Sequence, residues 1–275
     1  MSLSCEVLYM PPEIRAMFGD GDVFRQVMAL RGEIFRDVPG RRTLRFEANG
    51  ASYFVKLHHG VGWREIFKNL SSLRLPILSA ATEARAINRL DEIGIPTTPL
   101  VAYGCRGCDP ASLQSFIITR DLGDIVSLET LCADWPSHPP APAFKRKLIR
   151  AVAETARKFH GNGMNHRDFY ICHLCLDKAQ LAAGRIHLYL IDLHRVGIRN
   201  EIRSADRMKD IAALYFSAMD IGLTQRDYFR FLKIYRQKSL RQIFNEEHAF
   251  WERVSKRAGY LHGKFQVKYV ARITS

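Results

Sequence analysis

One stretch constrains this chain more than any other: Phe159-His160-Gly161-Asn162-Gly163-Met164-Asn165-His166-Arg167-Asp168-Phe169-Tyr170-Ile171-Cys172-His173. A helical run feeds it, and the glycines at 161 and 163 are where such a helix would stop. An apolar, strand-like run, Leu174 to Leu176, comes next, and a second, Leu188-Tyr189-Leu190-Ile191, ends on Asp192. The tripeptide His166-Arg167-Asp168 alone would mean little, because any tripeptide arises often by chance. Its setting makes it specific: helix end, glycine turn, tripeptide, then two short strands closing on a second aspartate.

Composition sets the outer bounds. A chain of 275 residues can bury a sizeable core as one large domain or two lobes. No apolar run approaches the length that spans a bilayer, and Met1 to Pro12 lacks the basic start and apolar stretch of a signal peptide. The expected place is therefore the cytoplasm. A formal charge of +13 calls for an anionic partner, such as a nucleotide, a phosphorylated glycolipid, an acidic protein or nucleic acid. No recognised basic-aromatic motif supports the last, so no nucleic-acid partner is expected. Cys105–Cys108 and Cys172–Cys175 have the spacing of zinc ligands, but the second pair lies in or beside a strand. A strand puts residues three apart on opposite faces, which favours buried thiols over a chelating pair.

The N-terminal half reads as strands. Thr43 to Glu47 alternates, Asn49-Gly50 is a hairpin turn signal, and Ser52 to His58 alternates again. Phe54, Lys56 and His58 share one face, so Lys56 either snorkels at a sheet edge or is reserved for a phosphate. After Pro76 a helix is expected to begin near Ser79, with Glu83, Ile87 and Leu90 on one stripe. An acid on an apolar stripe is costly unless paired. Lys56 is its natural partner, and a helix-start acid favoured by the macrodipole is the alternative. Ser115 to Thr119 reads as a buried strand. Helices are expected at Asp22–Leu30, at Ser127–Ala133 and over a long run carrying Phe144, Leu148, Ala151, Val152, Thr155 and Phe159 on one face. Another helix buries Met208, Ile211 and Tyr215. Thr224 with Asp227 resembles a capping box, and Arg226, Arg230 and Lys233 form a basic stripe on the helix that follows.

A loop displaying His-Arg-Asp, followed by a strand that delivers another Asp, resembles the catalytic half of a protein-kinase-like fold. The resemblance implies that Asp168 accepts the acceptor hydroxyl's proton and Asp192 holds the magnesium bound to ATP. It gives Lys56 the phosphates, Glu83 the orientation of Lys56, and residues 120–124 the place of a hinge. In such folds an acid at Asp210 can brace the catalytic loop. The runs His166 to His173, Tyr189 to Arg195, Tyr53 to Trp63, Ile66 to Leu70 and Lys209 to Ser217 are more specific. They resemble the bacterial lipopolysaccharide core heptose(I) kinase family.

That resemblance implies an α+β bilobal fold, with an N-lobe over residues 1–119 and a mostly helical C-lobe over 120–275. It implies ATP-dependent phosphorylation of the first inner-core heptose at the cytoplasmic face of the inner membrane, with peripheral membrane contact. Acyl carrier protein, an acidic partner, comes with it. Other small-molecule or protein phosphotransferases and a non-catalytic pseudokinase are the alternatives. The expected site is Asp168 with His166 and Arg167, Lys56 with Glu83, and Asp192 for Mg2+. Only Gly40 stands where kinases carry a glycine-rich loop, and Arg41 and Arg42 are either phosphate partners in place of its amides or solvated surface residues. His173 stands where kinases place a magnesium-binding Asn. It could ligate another metal, hydrogen-bond a phosphate or metal-bound water, or only pack. The hydrogen bond is the expected fate, because it requires no change of metal and places a donor where charge develops.

Overall fold

The computed structural model describes residues 6–38, 40–59, 80–107 and 113–273. Met1 to Cys5, Gly60 to Trp63, Ile66 to Leu70, Cys108, and Pro76 and Ser79 at the expected helix start, all used above, lie outside them. The chain gathers into two compact units. The first comprises Met1–Arg89, Thr97–Gly123 and Leu193–Arg195, and the second Leu90–Pro96, Asp124–Asp192 and Val196–Ser275.

In the first unit six antiparallel strands run in the spatial order β1-β5-β6-β4-β3-β2. They are β1 (Glu6–Tyr9), β2 (Glu33–Val38), β3 (Arg41–Ala48), β4 (Ala51–His58), β5 (Leu100–Arg106) and β6 (Gln114–Arg120). The β3–β4 hairpin turns on Asn49 and Gly50, both at positive φ (50° and 71°), as the sequence predicts. Tyr53, Val55 and Leu57 of β4 point to one face. There they meet the short helices α1 (Pro12–Arg15) and α2 (Val23–Met28) through Ile14, Phe24 and Val27. Asp22 caps α2 by accepting from the amides of Phe24 and Arg25. That apolar face fixes which residues of β4 are left for chemistry: Phe54, Lys56 and His58 stand on the other. Helix α3 (Ala81–Glu92) buries Glu83, Ala84, Ile87 and Leu90, the stripe its periodicity predicts.

The second unit is mostly helical. It holds α4 (Leu128–Cys132), α5 (Pro142–Gly161), α6 (Lys178–Ala182), α7 (Ser204–Ser217), α8 (Gln225–Arg236) and α9 (Leu240–Ile273). The run called α9 contains a break at Glu247, whose φ and ψ are −127° and 17°. The buried side of α5 is Leu148, Ile149, Ala153, Ala156, Phe159 and His160, rotated from the expected face, with Val152 and Thr155 half-buried. The Thr224–Asp227 capping box is present at the start of α8. Asp227 also takes Lys145 of α5 (3.1 Å) and Arg230 (2.8 Å), so the middle cation of the expected basic stripe is already neutralised. Arg226 and Lys233 remain exposed.

Two small sheets set the stretch around His166, Arg167 and Asp168. Strands β9 (Leu174–Asp177) and β10 (Leu188–Leu190) pair antiparallel, with β7 (Ile125–Ser127) on the far side of β9. The two-residue strands β8 (Met164–Asn165) and β11 (Gly197–Ile198) pair across the chain. Gly163 makes this second pairing possible. Its φ is 75°, and a Cβ there would lie 1.8 Å from the carbonyl oxygen of Arg199.

Candidate active site

The loop after α5 is held at nearly every residue. Asp210 of α7, 1% exposed, accepts from the amide of His166 at 2.6 Å and that of Arg167 at 2.8 Å. Arg167 has φ 71°, an uncommon conformation for a residue with a side chain, and the carboxylate grips the peptide on its N-terminal side. A buried carboxylate needs more than two amides. His160 supplies the rest: its Nε2 donates to Asp210 at 3.3 Å, and the Tyr235 hydroxyl lies 2.7 Å from its Nδ1. Further along, the Asp168 carbonyl accepts from the Tyr170 amide and from His173 Nδ1 (2.7 Å), and the Ile171 amide donates to Ser217 Oγ. Phe169 is fully buried and stacks on Phe159. The Asp168 side chain, half-buried, is thus carried on a rigid backbone.

The same loop positions Asp192. His166 is 0% exposed, and its Nε2 donates to the Ile191 carbonyl at 3.0 Å. The Ile191 amide donates to the His173 carbonyl at 3.0 Å. Both peptide groups of Ile191 are therefore tied to the loop bearing Asp168, and Asp192 follows in a positive-φ conformation (62°). Burial holds the His166 imidazole below its usual pKa, in keeping with a neutral ring that donates from Nε2 alone. His166, expected among the catalytic residues, sits inside as a connector. The Arg167 side chain is exposed.

His173 lies in the 3-10 turn Ile171–His173 and stacks on His166 with ring centroids 5.6 Å apart. Its Nε2 is 3.5 Å from Asp192 Oδ2, with both side chains partly open to solvent (21% and 30%). Nearby, burial pushes the Cys172 and Cys175 thiols up to about 11, which keeps them protonated and poor ligands. Cys172 is on the turn rather than a strand, and Cys175 is on β9.

In the first unit, Lys56 Nζ meets Glu83 Oε1 at 2.5 Å, with side-chain exposures of 18% and 4%. The pair predicted from two separate periodicities forms. Conversion of Lys56 to Met and Glu83 to Gln, singly and together, should give a coupling of about 0.5–3 kcal/mol in a double-mutant cycle on activity. Additive effects would mean that the pair does no joint work.

Cross-strand register sorts the two arginines. Thr43 lies opposite Lys56 and Arg41 opposite His58, so Arg41 shares the Lys56 face while Arg42, opposite Leu57, does not. Arg42 is held by Asp37 of β2 at 2.8 Å. A hollow of about 430 Å³ at the β2–β3 turn is lined by Asp37, Gly40, Arg41, Arg42 and His59. His58 is 4% exposed, and burial, then Arg41, Lys56, His194 and His59, lower its pKa to about 3. Its folded value lies below the unfolded 6.5, so the unfolded chain binds the extra proton between those limits. Stability is therefore full above about pH 6.5 and is lost as pH falls toward about 3, by on the order of a few kcal/mol. A flatter acid limb in the melting temperature of His58→Gln is the expected result, measured by calorimetry without ligand.

The second unit also holds an open apolar cavity of about 350 Å³ lined by α5, α7, α8 and α9. Leu148, Leu214, Tyr228, Phe231, Leu232 and Trp251 are among its walls. No sequence signal separates a residue that lines a cavity from one that fills a core.

Comparison with known proteins decides the family. Residues 25–235 match the model of the lipopolysaccharide kinase (Kdo/WaaP) family. The chain belongs to that family. It is 45% identical over 261 residues to the lipopolysaccharide core heptose(I) kinase WaaP of Pseudomonas aeruginosa, covering 94% of this chain and 97% of that one. It is 46% identical over 250 residues to WaaP of Escherichia coli K12, covering 90% and 94%. A solved structure described as WaaP in complex with acyl carrier protein superposes with a TM-score of 0.81 at 41% identity, over 93% of this chain and 99% of that one. The expected protein-kinase-like α+β architecture agrees with that neighbour.

Proposed function

We propose that this chain transfers a phosphoryl group from ATP to a hydroxyl of the first heptose in the lipopolysaccharide inner core. The observation that carries this reading is near full-length identity of 45% to a heptose(I) kinase, over a chain whose Asp168 loop is pinned residue by residue. Asp168 orients the acceptor hydroxyl and takes its proton. Lys56, aligned by Glu83, meets nucleotide phosphates, and Arg41 adds a cation on the same face. Arg42 joins them from the shared hollow if it leaves Asp37. Arg41 and Lys56 beside the buried His58 favour an anion there.

Asp192 offers a partly exposed carboxylate, the oxygen donor that fits Mg2+, with the His173 ring nitrogen beside it. When bound, that cation neutralises phosphate charge. Incubation with ATP, Mg2+ and heptose-bearing core glycolipid should add one phosphoryl mass to the heptose fragment in mass spectrometry. A product phosphorylated elsewhere, or none, would refute the reading.

The acceptor is a glycolipid, so the enzyme meets it at the cytoplasmic face of the inner membrane as a peripheral protein. No helix among the described residues is long and apolar enough to cross a membrane, and a charge of +13 suits an anionic surface. Acyl carrier protein is the second proposed partner, supported by the complex solved for a relative and by charge. The apolar cavity suits the carrier's acyl group. Filling it with Ala218→Phe should weaken binding of an acylated carrier more than an unacylated one, read by calorimetric titration. Equal losses would place the acyl group elsewhere.

A further inference from the structure

A row of aromatic rings leads outward from the Asp168 loop. Tyr170 donates its amide to the Asp168 carbonyl and sets its ring 6.1 Å from that of His173. Phe216, in the last turn of α7, meets Tyr170 edge-on with centroids 6.2 Å apart. Phe265 of α9 meets Phe216 in turn at 5.9 Å. The row is in register with the loop, because Ser217, next to Phe216, accepts from the amide of Ile171, next to Tyr170. It is not core. The buried stripe of α7 runs through Ile211 and Leu214, whereas Phe216 and Tyr170 are half-buried and Phe265 is 52% exposed. A polar pair borders the row. His262, three residues before Phe265 and so on the same face of α9, packs on Phe216 and donates from Nε2 to Asp220 at 2.8 Å. The Asp220 side chain is 65% exposed, which leaves its carboxylate open to further donors.

We propose that this row is an acceptor subsite, taking an uncharged sugar ring linked to the heptose whose hydroxyl meets Asp168. The proposal rests on the kinase reading above and deepens it. A sugar ring has an apolar face of C–H groups and a rim of hydroxyls. Its C–H groups are drawn to the negative face of an aromatic ring, and covering both apolar surfaces adds to the attraction. A carboxylate accepts from hydroxyls and has no proton to donate, so Asp220 favours a neutral rim and repels a sugar acid. The anionic part of the acceptor therefore leaves the site in another direction. Stacking with one fixed polar group gives orientation as well as affinity. Because the row is tied to the Asp168 loop through Ser217 and Tyr170, holding the second ring here presents one hydroxyl of the heptose to Asp168.

The test uses the full chain and two probes, methyl heptoside and the same heptoside bearing one neutral hexose, with binding read by saturation-transfer NMR. The disaccharide should bind wild type more tightly, with saturation strongest at the ring C–H protons of the hexose. Phe265→Ala should weaken the disaccharide about three- to tenfold, the size of one aromatic contact, and weaken the single sugar less. Phe265→Tyr keeps the ring and should recover most of that loss. A disaccharide bound no more tightly than the single sugar overturns the proposal, and so does an equal loss for both probes in Phe265→Ala. With the hexose replaced by its uronic acid, wild type should bind more weakly, and Asp220→Asn should narrow the difference. A difference that Asp220→Asn leaves unchanged overturns the preference for an uncharged ring. Phosphoryl transfer is read separately on the same proteins with ATP and Mg2+. The expected binding pattern without transfer refutes the kinase reading and leaves the subsite, whereas transfer with unchanged binding in Phe265→Ala removes only the subsite.

Discussion

Asp168→Ala should lower kcat by about 10²–10⁴-fold, the range a positioned general base contributes. The loop's geometry makes this a clean experiment. The Asp168 backbone is held through its carbonyl by Tyr170 and His173, and the preceding amides are held by Asp210. None of these bonds uses the Asp168 side chain, so truncation leaves each of them in place. Nucleotide affinity should change little, because the proposed base acts on the acceptor. Asp192→Ala should do the reverse, weakening metal-dependent nucleotide binding in a calorimetric titration. Near-wild-type turnover in Asp168→Ala would remove it from the role of base. Equal affinity for the metal nucleotide in Asp192→Ala would remove that residue from the metal.

Where burial follows a period, the sequence is readable. Lys56 and Glu83 were paired from a period of two on β4 and a period of 3.6 on α3, because one face of each element meets a core. Two strands that the sequence does not reveal have no such face. Every residue of β2 is exposed, including Ile34 and Phe35 at 56% each, and β1 is exposed throughout. These are the two edges of the sheet, and an edge strand with both faces in solvent leaves no alternation to find. On β5 the buried positions are Ala102 and Gly104, too small to register as apolar.

The candidate site divides in the same way. Asp168 and Asp192 are marked by the helix, turn and strands around them, which are local in sequence. The internal place of His166 was not legible, because it depends on where the Ile191 carbonyl arrives from 25 residues away. Nor could the sequence settle the fate of His173, since its tautomer is set by the turn that folds Asp168's carbonyl back onto the ring. The cavity beneath α8 is illegible for a different reason: Tyr228, Phe231 and Leu232 face inward as their period predicts, yet line a space instead of filling it.

Asp210→Asn should be the most damaging change away from the reacting groups. The carboxylate accepts three bonds: Oδ2 takes the His166 amide and His160 Nε2, and Oδ1 takes the Arg167 amide. An amide side chain keeps one oxygen and replaces the other with a donor, so a donor must face a donor at Arg167 or at the His166–His160 side. Leaving one buried group unsatisfied costs about 1–3 kcal/mol, and removing a charge from this network adds to it. The folding cost is the smaller consequence. Without its anchor, the positive-φ conformation of Arg167 has little to hold it, and relaxation there moves the next residue, Asp168. A misplacement of about 1 Å can cost about 100-fold in rate. The expected result is a kcat reduced on that order at a temperature where the variant is fully folded, with a nearly unchanged KM for ATP. Tyr235→Phe removes only the hydroxyl that meets His160 and should give a milder loss in the same direction. A folded Asp210→Asn protein with wild-type kcat would show that the loop keeps its shape without the carboxylate, and that the strain at Arg167 is borne by the pairing of β8 with β11 instead.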